Sequence, residues 1–311
     1  MKQFKDVLFV SQGLTDDQDS LGQSILLTAN HQASLRGLIV CPSLPDHMGN
    51  YVETYEQSLR QSLKQNVLET IEQHQLPDYS EDFPIVLKSG DKPAVKIIRH
   101  VQEHGIDLVM KDAEPIGEHG EGFKAIDMAL LRQCPVPVWL NRPTNKPMTK
   151  RRVAVAIDAN VTDEEQKQLT TKLLQTARAI ADGCDSRLHI VSCWEYQLEH
   201  YLDNQSWIKM PRDELDENRE QARVKHNSAL KWLVQESGID GENIIHQLHG
   251  RADDEIPRCA VDLDIDVLVM GTIARTGIPG VLIGNTAENI LQSVSCSLVA
   301  LKPKTFVSPI G

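Results

Sequence analysis

The chain has 311 residues, 41% of them hydrophobic, and a formal net charge of −12. That is enough apolar material for two cores of ordinary size, and the acidic balance argues against a phosphate-neutralising surface for nucleic acid. No apolar run reaches the roughly 18 residues of a membrane span, and Met1 leads within a few polar residues into an apolar segment; neither a span nor a signal peptide is expected, and the expected location is the cytoplasm.

In chain order, the first half opens with a strand over 7–10 and has a second over 38–40. A long helix follows, carrying Val52, Tyr55, Leu59, Leu63, Val67 and Ile71 on one face. An apolar strand entered through Ile106-Asp107 and another over 136–140 complete what is legible there. A short polar connector with a proline, 144–151, leads to a second strand set. There, 152–157 is a buried strand, and Thr162-Asp-Glu-Glu165 opens a helix with Leu169, Leu173, Ala177 and Ile180 on its apolar face. The segment 188–193 is the next strand, and a long polar helix spans about 213–236 up to Gly238. Strands over 244–248, 267–270 and 297–301 follow, then a tail over 304–311. Strands apolar on both faces, alternating with amphipathic helices, predict a parallel α/β sheet covered on both sides.

The order repeats. Gly90 lies in Lys88-Ser-Gly-Asp91 and Gly250 in Leu248-His-Gly-Arg251; Asn141-Arg-Pro143 answers Leu301-Lys-Pro303. These pairs are 160 positions apart, as are Met110 and Met270, and 7–10 answers 154–157 at a slightly smaller offset. Two copies of one β-α-β-α-β-α-β-α-β unit, over 1–143 and 152–303, are the simplest account. The connector is short enough that the halves are expected to pack together.

Chemistry concentrates in 267–290. An apolar strand runs through Gly271 into a loop rich in glycine and β-branched residues, which closes at Gly284-Asn285-Thr286; Asn285-x-x-Glu288 has the form of a capping box. A strand feeding a glycine loop and a helix N-terminus is a ready anion site, because N–H groups and the helix dipole converge there. The alternative is a tight connection that binds nothing. Gly271, two residues, Ala274, nine residues, then Gly284 resembles the nucleotide loop of the universal stress proteins, which reads Gly, two residues, Gly, nine residues, Gly, then Ser or Thr. Ala274 replaces the second glycine, and Asn285 precedes the hydroxyl residue Thr286.

The resemblance implies two tandem Rossmann-like domains of the adenine nucleotide alpha-hydrolase-like kind, packed as a pseudo-dimer through their last strands, 136–140 and 297–301. It implies ATP, with or without magnesium, in the second domain. Asp158 would contact adenine or ribose, the backbone near Cys193 would touch adenine, and Gly271, Ala274, Arg275, Gly284, Asn285 and Thr286 would surround the phosphates. At the 160-residue offset the first copy has Lys111 for Gly271, Glu114 for Ala274 and Lys124 for Gly284, with Ser11 in the place of Asp158. The first copy is therefore expected to be degenerate. A tandem subgroup of the family is associated with stress adaptation and DNA-damage resistance.

Three functional readings follow: an adenine-nucleotide-binding stress protein whose occupancy regulates an unidentified protein partner, a slow ATPase, or a nucleotide-free module for a lipid-like or other metabolite. An ATPase needs a water-positioning base and a metal-holding carboxylate, and 272–283 supplies no acid. No catalytic residue and no metal site is assigned. His246 and His249, three apart on a strand, point to opposite faces. Cys41, Cys134, Cys184, Cys193, Cys259 and Cys296 lack metal spacing and read as buried, reduced thiols. A further homodimer is compatible with all three readings.

Overall fold

The computed structural model describes residues 4–13, 18–76, 79, 83–114, 123–196, 211–272 and 283–311. The first half runs β1 (Asp6–Ser11), α1 (Gln18–His31), β2 (Ser34–Cys41), α2 (Val52–Gln73), β3 (Ile85–Ser89), α3 (Pro93–His104), β4 (Leu108–Asp112), α4 (Ala125–Gln133) and β5 (Val138–Asn141). The second runs β6 (Val153–Ala156), α5 (Glu164–Gly183), β7 (Leu188–Trp194), α6 (Arg212–Glu236), β8 (Asn243–His249), α7 (Ala252–Asp262), β9 (Val267–Gly271), α8 (Asn285–Ser293) and β10 (Ser297–Leu301). The expected α/β alternation is present in both.

The ten strands among the described residues form one sheet, ordered β3-β2-β1-β4-β5-β10-β9-β6-β7-β8. Every neighbouring pair is parallel except β5 with β10, which is antiparallel. There Leu298 faces Leu140, Val299 faces Trp139 and Ala300 faces Val138. Residues 160 apart in sequence thus exchange partners about the Trp139–Val299 pair, as two-fold symmetry at an isologous contact requires. Two tandem open sheets packed as a pseudo-dimer is the architecture observed.

Along each central strand, alternate residues enter opposite cores. Leu8, Val109, Leu268 and Ala154 join one cluster with α3, α4, α7 and α8; Val7, Leu108, Val267 and Val153 join the other with α1, α2, α5 and α6. Both clusters run across the seam between the halves, while the helices of each half pack on that half's own strands.

The pairing corrects the sequence alignment of the copies by one residue. Val7 pairs with Leu108 and Val153 with Val267, so Leu108 and Val267 are counterparts, 159 apart rather than 160. Gly105 and Asp264, with φ of 63° and 52°, turn the chain at the same point ahead of these strands. The counterpart of Gly271 is therefore Asp112, and Lys111 answers Met270. By the same pairing Val7 answers Val153, and Gln12 rather than Ser11 stands where Asp158 does. From α4 and α8 onward the 160-residue offset holds, because Lys124 and Gly284 both precede the helix by one residue.

Other expectations need adjusting at element ends. Helix α5 is capped by Asp163, one residue after Thr162: Asp163 Oδ1 accepts the Gln166 N–H at 2.8 Å, and Gln166 Oε1 accepts the Thr162 N–H at 3.1 Å. Leu63 and Val67 of α2 are buried, but Val52 is 38% exposed. At 22 residues α2 outreaches the short strand beneath it, so its first turn overhangs. The tail is docked: Arg99 Nε donates to Gly311 O at 3.2 Å, and Gln102 Nε2 to Ile310 O at 2.9 Å.

Candidate functional site

In the second half, β6 lies between β9 and β7, so their carboxyl ends sit side by side. The helix after β6 covers one face of the sheet and the helix after β9 covers the other. A crevice where connections diverge in this way is where open α/β sheets take ligands. Asp158 follows β6, Cys193 is near the end of β7, and Gly271 closes β9.

Asp158 is exposed, and its Oδ1 accepts the Asn160 N–H at 2.8 Å, an Asx turn that fixes the carboxylate at the mouth of the crevice. The Cys193 backbone lies past the end of β6 and pairs in the ladder with Leu248 of β8. Burial pushes its thiol up to about 12, so the side chain is an inert, protonated group. At the phosphate end, Thr272 N–H donates to Leu301 O at 3.2 Å and Gly284 N–H to Thr272 O at 3.2 Å. These bonds pinch the base of the loop and set the start of α8 against the end of β9. Thr272 is fully buried, and its Oγ1 has no hydrogen-bond partner among the described residues.

The capping box does not form. Gly284 is the N-cap of α8, with φ −64° and ψ 144°, and no side chain among the described residues caps the helix; Asn285 and Thr286 are its first two residues and are exposed. Glu288 instead forms an ion pair with Arg132 of α4 in the other half. A helix start without a side-chain cap keeps its first N–H groups for an external acceptor. Gly271 closes β9 beside helix α5. Its φ is not in the left-handed region, and an added Cβ would meet Leu169 Cδ2 at 3.4 Å and Leu173 Cδ1 at 3.8 Å. Those are ordinary contact distances, and Gly271 offers its backbone at the end of β9. Ala274 and Arg275 lie outside the described residues.

The first half is built differently at the corresponding place. Lys111 and Asp127 are 2% and 0% exposed and form an ion pair at 2.8 Å. Asp127 Oδ2 accepts the Glu114 N–H at 2.7 Å, while Glu114 accepts bonds from Gln12 Nε2 at 3.3 Å and Ile126 N at 3.4 Å. Asp127 and Ala287 occupy the same position in α4 and α8, so a carboxylate of the chain itself sits at the helix start in the first half. Sequence reading noted Lys111 but not Asp127, whose only signal was an acid at an apolar helix position.

A separate groove of about 640 Å³ straddles the halves, lined among others by Leu27, Trp139, Met148, Arg178 and Ile239. Its walls come from the ends of α1 and α5 and the turn ahead of β8, toward the amino edge of the sheet and away from the crevice. The six cysteines are unpaired, as expected. No helix among the described residues is long and apolar enough to cross a membrane.

A sequence model of the universal stress protein family matches residues 150–302. Universal stress protein E of Escherichia coli K12 is 26% identical over 315 residues, covering 100% of this chain and 98% of its own length. The chain belongs to the universal stress protein family. The Haemophilus influenzae homolog of universal stress protein E is likewise 26% identical, over 96% of this chain and 98% of its own. Among solved structures, a universal stress protein from Pseudomonas aeruginosa UCBPP-PA14 matches with a TM-score of 0.71 at 26% identity, over 97% of this chain and 95% of its own. A universal stress protein from Archaeoglobus fulgidus, 12% identical, shares the fold with a TM-score of 0.58 over 96% of each chain. This chain is thus a tandem universal stress protein resembling universal stress protein E.

Proposed function

We propose that this universal stress protein binds ATP or a related adenine nucleotide once per chain, in the second half, and that occupancy regulates a protein partner in stress adaptation. The carrying observation is the α8 start at Gly284, uncapped by any side chain among the described residues and hydrogen-bonded to Thr272 at the end of β9. Asp158 is turned to the same edge of the sheet, where it can accept a bond from the nucleoside. The first half holds a buried carboxylate at the equivalent helix start, and a second anion there is disfavoured. The units in this reading are 1–143, a connector 144–151, 152–303 and the tail 304–311.

Because both cores cross the seam, the test uses the full chain. Calorimetry measures ATP and adenosine affinities for the native protein, Ala274→Gly and Gly284→Lys. Restoring glycine at 274 removes a methyl group and a φ restriction, so ATP binding tightens about tenfold while adenosine binding holds. Lysine at 284, the residue of the first half, abolishes the preference for ATP over adenosine. Equal ATP affinities across all three proteins would show that this loop does not cradle phosphates.

A further inference from the structure

The sequence His100-Val-Gln-Glu103-His104 forms the last turn of α3, far along the chain from the nucleotide loop. Each of His100, Glu103 and His104 offers one ligand atom, and the three atoms lie within 4.8 Å of one another. We propose that these residues form a binding site for a borderline divalent cation, with Zn²⁺ as its best-matched ion.

Two features of the imidazoles carry this beyond a chance cluster. His104 Nδ1 lies 3.0 Å from the His100 carbonyl, which can only accept, so Nδ1 carries the proton and Nε2 presents its lone pair outward. A backbone carbonyl holding the remote N–H is how metal-binding histidines are commonly fixed in tautomer and orientation. His100 is 2% exposed, and its Nδ1 is buried without a hydrogen-bond partner among the described residues. A buried ring with an unmet nitrogen is costly unless something supplies a bond.

The chemistry of the set fits. Two imidazoles and one carboxylate suit zinc and its neighbours rather than magnesium or calcium. Bonds of about 2.0–2.2 Å place neighbouring donors roughly 3.4 Å apart around a tetrahedral ion. With the His104 ring held by the His100 carbonyl, closing to that spacing falls chiefly to the exposed side chain of Glu103. The turn lies at the negative end of the helix dipole, which favours a cation. Lys88 competes, since its Nζ lies 3.4 Å from Glu103 Oε2 across a largely exposed pair. Arg99 and Gln102 of the same turn hold the carbonyls of Gly311 and Ile310, so an ion here would stiffen the seat of the chain's end.

The test is a Zn²⁺ titration of the full-length, metal-stripped protein by calorimetry, repeated with Co²⁺ for its visible absorption. His100 is left intact because it is buried; the exposed residues carry the test. Expected are one equivalent at this site, a loss of at least tenfold in affinity in His104→Ala and Glu103→Gln, and tighter binding in Lys88→Ala. His246→Gln controls for the other close histidine pair, His189 Nδ1 and His246 Nε2 at 3.0 Å, and should leave the affinity unchanged. Absence of Zn²⁺ binding, or binding unaltered in both His104→Ala and Glu103→Gln, would overturn the site.

Discussion

At the scale of single residues, the clearest cost built into this protein is Lys302. Its Nζ is buried without a hydrogen-bond partner among the described residues, and burial pulls its pKa from 10.5 down to about 8. The folded state therefore prefers the neutral amine. Between pH 8 and 10.5 the unfolded chain holds more protons than the folded one, so this group's contribution to stability rises with pH there. Below pH 8 the full penalty applies. Lys302→Met should thus stabilise the protein at pH 7 by up to about 3 kcal/mol, from 1.36 kcal/mol per unit. The gain should fade toward pH 10.5. Urea unfolding of both proteins at pH 7 and pH 10.5 checks this, and the difference between them removes the effect of buried thiols common to both. An equal gain at both pH values would assign it to packing instead of charge.

At the scale of elements, the Lys111–Asp127 pair ties the end of β4 to α4, where the second half has Met270 and Ala287. Lys111→Met alone leaves Asp127 buried and uncompensated, a loss of about 3–5 kcal/mol. The double variant Lys111→Met with Asp127→Ala copies the second half and should recover most of that loss. Denaturant unfolding of the two singles and the double closes the cycle; additive losses would mean the pair is not coupled. At the other end of the scale, Asp163→Ala removes the α5 cap and should cost about 1 kcal/mol.

These elements also show what the sequence could and could not specify. Helix and strand order was legible from apolar spacing, since α5 and α6 lie within a residue or two of their expected bounds. The register between copies was not. In β4 and β9 both faces are apolar, so a one-residue slip leaves the pattern unchanged while sending every side chain to the other core. The Ile106-Asp107 and Ile265-Asp266 pairs carry the 159-residue offset, and the pairing with β1 and β6 shows that Asp112, not Lys111, answers Gly271. The candidate site was legible in part for a related reason: chain order places Gly271, Gly284 and Asp158 at one edge of the sheet, but a glycine in sequence does not show what its backbone faces. The His100, Glu103 and His104 cluster was missed because a lone helical turn is read first for its apolar face.

At the scale of the whole molecule, the sheet is continuous and both apolar clusters cross the seam, so the halves are expected to fold as one unit. The seam joins β5 to β10, Arg132 pairs with Glu288, Lys146 pairs with Asp264 at 2.7 Å and Asp266 at 2.9 Å, and Arg151 reaches Asp19 at 3.2 Å. The full chain should therefore unfold in a single transition, reported identically by far-ultraviolet circular dichroism and tryptophan fluorescence. Cutting the chain in the connector has a more specific consequence. A fragment of residues 150–311 would leave β10 as an open edge lined by Leu298 and Ala300 on one face and Val299 on the other, a template for pairing. Since the seam is two-fold about counterparts Trp139 and Val299, the free edge is already shaped to meet a second copy of itself, with Val299 facing Val299. The fragment should then sediment as a dimer, and lysine at position 299 should convert it to a monomer with loosened packing. A fragment that is monomeric and fully cooperative in its unfolding would show that the second half owns a sufficient core, against the arrangement of the two clusters that cross the seam.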